Sequence, residues 1–239
     1  MYKLSVLYFL FLMVFLPSLD AQVLTAGIVS DFEGNVYKTI IIGGQEWMAE
    51  NLRTTCYNNG RSITLVSDSG IWPRLLSGAY CWYNNDNRFS RTYGAMYNWY
   101  TVETGKICPV GWSVPTDEEW NILRKFLDNQ NIIVDKSSDS YETGGKSGRH
   151  LKNNFGWRSG GKGENLYGFS ALPGGERCRE GRFSLAGSSG FWWSSTEYGA
   201  SGAWFRSIVY SLDDLYRDVH PKWIGFSVRC IRGKAKSGE

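Results

Sequence analysis

Apolar and polar positions alternate most clearly in the run Val36-Tyr37-Lys38-Thr39-Ile40-Ile41-Ile42, which is rich in β-branched residues and stops at Gly43-Gly44. That pattern predicts a strand followed by a tight turn. Trp47 and Ala49, and less cleanly Leu52, then alternate with polar neighbours, so Gln45–Leu52 is expected to pair back as the second arm of a hairpin. From 53 to 92 the periodicity fades and Asn58-Asn59-Gly60 and Asn84-Asn85-Asp86-Asn87 supply turn residues; this reads as a long surface excursion. Tyr93, Met96, Tyr97 and Tyr100 recur at helical spacing and predict a short helix over 93–100. The strongest local signal follows Val114-Pro115. Thr116 and Glu119 stand three apart as a capping box, Asp117-Glu118-Glu119 set negative charge on the positive end of a helix, and Trp120, Leu123, Phe126 and Leu127 form one apolar stripe. A helix through Leu127 is predicted. Beyond a polar, Gly/Ser-rich loop from Asp128 to Gly148 come glycine-punctuated runs at 167–172, 182–186, 191–196, 203–210 and 224–231, the spacing of a meandering sheet. Gly168-Phe169-Ser170 recurs as Gly225-Phe226-Ser227, a hint of shared strand-start geometry. The fold class is therefore α+β: one domain of short antiparallel strands, two helices and long loops.

Composition narrows the class further. At 239 residues, 42% hydrophobic and 21% charged, the chain is neither disordered nor collagen-like nor a multi-spanning membrane protein. A net charge of +3, dispersed along the chain, is no footprint for nucleic acid, which is excluded as a partner. The segment 1–21 carries Lys3, the apolar run Leu4–Leu16 and Pro17-Ser18-Leu19-Asp20-Ala21, the layout of a signal peptide cleaved after Ala21. Its run is short of the roughly 18 residues of a membrane span, so no span is expected after cleavage; a retained anchor is the bland alternative. Residues 22–35 read as a lead-in, 36–232 as the domain and 233–239 as a polar tail. Export to the periplasm, the outer surface or the medium permits disulfides. Of Cys56, Cys81, Cys108, Cys178 and Cys230, the pair Cys108–Cys230 is the first candidate bridge and Cys56–Cys81 a weaker second; an odd number leaves at least one thiol over.

The search for catalytic chemistry returns negatives. His150 and His220 lack zinc-protease spacing, Gly187-Ser188-Ser189-Gly190 is not a nucleophile elbow, and Gly160-Gly161-Lys162-Gly163 lacks the offsets of a phosphate loop. Glu118-Glu119 is accounted for by the helix start, and Asp213-Asp214 reads as a turn between strands before it reads as an acid/base pair. Asn84–Asn87 offers hard oxygens of the kind calcium takes, although a plain surface turn is favoured over a metal site. No metal or cofactor is expected. Trp192-Trp193 can supply one sugar-stacking face at most, because neighbours on a strand point oppositely. Trp47, Trp99, Trp112 and Trp120 are read as core.

Eight blocks, in order, resemble one family: Val36–Thr39, Gln45–Arg53, Cys81–Asp86, Tyr93–Tyr100, Cys108–Thr116, Gly168–Gly175, Trp192–Glu197 and Gly225–Cys230 are similar to the Fibrobacter succinogenes major paralogous (FISUMP) domain. The resemblance implies an exported or surface protein of Bacteroidetes-like bacteria. It also implies kinship with the C-type-lectin-like fold of formylglycine-generating enzymes, whose Leu-Pro-Thr-x-x-Glu-Trp helix start is similar to Val114–Trp120. The reactive cysteines of those enzymes are not recognisable. In lectin-like relatives the stretch before the final strand forms a variable binding face; here it would be 197–223, with Tyr198, Phe205, Arg206, Tyr210, Asp213, Asp214, Tyr216, Arg217, His220 and Trp223. Tyr, Trp and Arg are types enriched in binding hot spots. The expected function is a non-enzymatic recognition or cell-surface module for a glycan or protein ligand. An enzyme of the formylglycine-generating branch and a purely structural surface protein are the alternatives.

Overall fold

The structure, a computed structural model, describes residues 25–128 and 145–233. In chain order the strands are β1 (Thr25–Ser30), β2 (Val36–Ile42), β3 (Gln45–Met48), β4 (Thr64–Leu65), β5 (Ala79–Cys81), β6 (Met96–Tyr97), β7 (Trp112–Ser113), β8 (Glu176–Arg177), β9 (Phe183–Ser184), β10 (Ser189–Tyr198), β11 (Gly202–Val209), β12 (Tyr216–Pro221) and β13 (Ile231–Arg232). The helices are α1 (Ser90–Tyr93), α2 (Trp99–Glu103), α3 (Asp117–Leu127) and α4 (Ser147–Leu151). β1, β2, β3, β13 and β7 form an antiparallel sheet in that order, so the last strand inserts beside the early hairpin. β10, β11 and β12 form an antiparallel meander, and β4, β5 and β6 a third sheet whose first pair is parallel. The class is mixed α+β with mostly antiparallel sheets.

The chain feeds two cores by strand alternation. Successive strand residues point to opposite faces, and here both faces are covered. On β3, Trp47 joins the cluster of Ile40, Ile42, Trp120, Leu123 and Phe169, whereas its neighbour Met48 joins that of Tyr37, Tyr97, Trp99, Phe205 and Phe226. Trp192 and Trp193 on β10 divide in the same way. The sugar-stacking reading of that pair fails for this reason, since both rings are fully buried. α3 roofs the first cluster, with Trp120 4.8 Å from Trp47 between ring centroids. Its capping box forms as expected: Thr116 Oγ1 accepts from the Glu119 N–H and the Glu119 carboxylate accepts from the Thr116 N–H. The second cluster contains the Cys108–Cys230 disulfide, which joins residues 122 apart.

Several expectations are corrected. The stretch 53–92 is not a surface excursion: Trp72, Ala79 and Cys81 with Met96 form a third buried cluster, and Tyr57, Ile63 and Tyr80 enter the second. No helix spans 93–100. Gly94, at φ +74°, ends α1, Met96-Tyr97 is a strand, and Asn98 caps α2 by accepting from the Thr101 N–H. Residues 167–172 make only one bridge, Lys152 to Ala171, in place of a strand. The two Gly-Phe-Ser copies differ in backbone, because Gly168 and Ser170 take positive φ while Gly225 lies in an extended bridge. Phe126 is 38% exposed and Trp112 only half-buried. Cys56 and Cys81 are both free, which overturns their pairing; burial pushes the Cys81 thiol up to about 12 despite the neighbouring Arg177 charge. The segment 1–21 expected to be a signal peptide, most of the 128–148 loop and the end of the polar tail lie outside the described residues.

Candidate functional site

β11 and β12 pair with Phe205 opposite Asp218 and Ser207 opposite Tyr216. These positions share one face of the meander. With Val209, Leu212 and Arg217 they line a hollow of about 200 Å³. β12 is the edge of its sheet, so the hollow sits at a margin. The 210–215 connection that closes it is held from below by α3 and α4. The Lys152 ammonium, itself buried on the Trp157 ring, donates to the carbonyls of Tyr210 (3.2 Å) and Leu212 (2.6 Å). The Asp214 carboxylate accepts from Ser147 Oγ at 3.1 Å and from the Leu215 N–H at 2.8 Å, and pairs with Arg124 at 3.4 Å. A side chain on Gly148 would place its Cβ 2.3 Å from the Asp214 carbonyl oxygen, so only glycine lets α4 approach this closely. Asp213-Asp214 is thus a turn between strands, one residue of it a buried anchor.

On the other face of β11, Arg206 is fully buried against the start of α3. One of its terminal nitrogens pairs with Asp117 Oδ1 at 2.9 Å and donates to Asn121 Oδ1 at 2.6 Å. Arg217 takes the second carboxylate oxygen at 3.0 Å and lays its guanidinium 3.3 Å from the Trp204 ring centroid. Tyr198 meets the same Trp204 ring edge-on at 4.9 Å. Burial pushes the Arg206 guanidinium down to about 10, Asp117 opposing the shift. Two cations on one carboxylate at a helix N-terminus make a rigid, locally positive floor.

The sequence-derived residues therefore divide. Tyr216 and Arg217 meet at the hollow, whereas Phe205 is buried against Phe191, Trp193 and Phe226 and gives the hollow only its floor. Tyr198 is 46% exposed and joins them through Trp204. Arg206 is buried and engaged by Asp117, and so supports the face from beneath. Tyr210 turns toward Arg158, whose guanidinium lies 5.7 Å from its ring. Asp213 is exposed beside Arg149 at 3.8 Å. His220 stacks on Phe205 at 5.0 Å, and Trp223 packs half-buried against the second cluster. Ser207, Val209, Leu212 and Asp218 were not singled out by residue type; the period of two through 205, 207 and 209 and through 216 and 218 carries that signal once the hairpin register is known. Asn84 and Asn85 form a left-handed turn, and Asp86 beside them pairs with Arg88 at 2.6 Å. Among the described residues no cluster of three metal-ligating side chains occurs, and no helix is long and apolar enough to cross a membrane.

Fold and site together define an α+β domain of mostly antiparallel sheets carrying a shallow aromatic and charged hollow at a sheet edge. The sequence profile of the Fibrobacter succinogenes major domain matches residues 40–232, and the chain belongs to that family. No curated protein and no solved structure matches it.

Proposed function

We propose that this is an exported, non-enzymatic recognition module of C-type-lectin-like kind that binds a glycan or protein ligand through residues 197–223. The observation that carries the reading is the hollow between Phe205 and Tyr216. The partly exposed Tyr216 ring suits the C–H side of a sugar ring or an apolar side chain, while Asp218, Ser207 and Arg217 supply acceptors and donors for hydroxyls. The fixed 210–215 connection favours binding as well, because a pre-formed wall loses little conformational entropy when a ligand arrives. Export rests on the Leu4–Leu16 run and the small residue at Ala21.

Glycan and protein arrays probed with the purified mature chain test this. Reproducible binding that falls at least roughly tenfold in Tyr216→Ala and in Asp218→Asn is the expected result, in keeping with the loss of a hot-spot contact. Binding unchanged in both variants, or no binding on either array, overturns it.

A further inference from the structure

Three arginines, Arg177, Arg206 and Arg229, are fully buried, and their charges are handled differently. Arg206 has the Asp117 carboxylate. Arg177 spends its donors on the carbonyls of Val66, Ser67 and Gly181. Arg229 bonds only neutral oxygens: Nε and Nη2 donate to Asn51 Oδ1 at 3.2 and 2.7 Å, and Nη1 donates to the Phe169 carbonyl. Those three bonds leave two of the five guanidinium N–H groups undirected. It forms no ion pair among the described residues, and Phe169 stacks on it with 4.0 Å between the guanidinium carbon and the ring centroid. Beside it lies a cavity of about 80 Å³, lined also by Asn51, Glu50, Arg91, Thr92 and Ser170.

We propose that this cavity is a pocket for a small oxyanion, of carboxylate or phosphate size, held by Arg229 from below and by Arg91 and Thr92 from the rim. Its volume exceeds the space one water needs several-fold. Arg91 is exposed and has no ion pair among the described residues, so it is available as the second cation. The wall has one anion, Glu50, which is already committed to Arg53 at 3.1 Å. Arg229, Arg91 and Arg53 thus outnumber the single carboxylate. The Ser170 hydroxyl donates to the Gly168 carbonyl and only closes the wall. A guanidinium taken from water without a counter-ion is costly, and an anion filling the adjacent space recovers part of that cost. Burial pushes the Arg229 guanidinium down to about 9, with Glu50 the one opposing influence, as an anion-poor setting requires.

Titration of the purified chain with inorganic phosphate and, separately, with acetate, each against chloride at equal ionic strength, tests the pocket by calorimetry and thermal melting. Saturable binding by either anion with a rise in Tm is expected, and the arm that responds tells a tetrahedral group from a planar one. Arg91→Ala, at an exposed position, should weaken that binding roughly tenfold while leaving Tm in chloride unchanged, the loss of one charge-assisted contact. Glu50→Gln should tighten it. Absence of any anion effect beyond chloride, or an Arg91→Ala variant that binds as tightly as the parent, overturns the proposal; so does a Glu50→Gln variant that loses Tm without gaining anion affinity, since Glu50 would then be the counter-ion across the cavity.

Discussion

The two cores on either side of the strands are closed in different ways. The Trp47–Trp120–Phe169 side is roofed by α3, a helix whose cap, charge pattern and stripe lie within twelve consecutive residues from Thr116 to Leu127. The Tyr97–Trp193–Phe226 side is roofed by residues scattered from Tyr37 to Cys230, most of them in short strands or irregular chain. A helix satisfies its own backbone and presents a ready-made apolar face. Irregular chain must be brought together from a distance, at a cost in loop closure. The disulfide lies on the second side and not the first, which is where a covalent link between distant segments has the most to offset.

Breaking that link is the largest perturbation. For a separation of 122 the chain-entropy model gives about 5 kcal/mol of stabilisation. Cys108→Ala with Cys230→Ala, or reduction of the parent, should therefore remove a stability of that order, read from the urea midpoint. Hydrogen exchange sharpens the comparison. The reciprocal bonds between Tyr97 and Phe226, at 2.8 and 3.1 Å, should lose protection in the variant well before the Trp120 amide does. Equal loss of protection on both sides would mean that the two cores open as one unit and that the contrast is only geometrical.

The helix-roofed side should respond far less to its own signature change. Thr116→Ala deletes the acceptor for the Glu119 N–H at 3.2 Å and should lower stability by about 1 kcal/mol with the slope of unfolding unchanged. A loss approaching that of the disulfide variant would show that α3 depends on its cap more than on the buried Trp120, Leu123 and Leu127.

The same contrast decides what the sequence disclosed. Val36–Ile42, the hairpin after Gly43-Gly44 and the α3 start were legible because each is written in neighbouring residues. Tyr93, Met96, Tyr97 and Tyr100 mimic a helical stripe, but Gly94 breaks it: its positive φ and a Cβ position 2.6 Å from the Leu52 carbonyl oxygen demand glycine, and Asn98 restarts the helix one turn on. Trp192 and Trp193 misled because alternation says that neighbours face oppositely without saying that both faces are covered. At the hollow, Tyr216 and Arg217 were visible by residue type. Ser207 and Asp218 needed the register across the 210–215 turn, and the hold of Asp117 on Arg206 spans 89 positions, beyond any local pattern.

The smallest expected effect tests the seam between the loop-roofed core and the hollow. His220 on β12 stacks on Phe205 at 5.0 Å and meets Phe226 at 5.7 Å. Burial holds its imidazole below the ordinary 6.5, with Asp218 pulling the other way. The unfolded chain then binds the proton more readily than the folded one, so the stability is whole above about pH 6.5 and falls as pH drops from there to the lower folded value. Urea midpoints taken from about pH 7.5 to about pH 5 should show this loss in the parent and not in His220→Phe, after subtraction of what the carboxylates contribute to both. A loss of equal size in His220→Phe would assign it to other groups. Because Phe205 is at once the ring under His220 and the floor of the hollow, the same titration should weaken ligand binding in acid. That coupling would tie the proposed binding face to the side of the molecule that the disulfide closes.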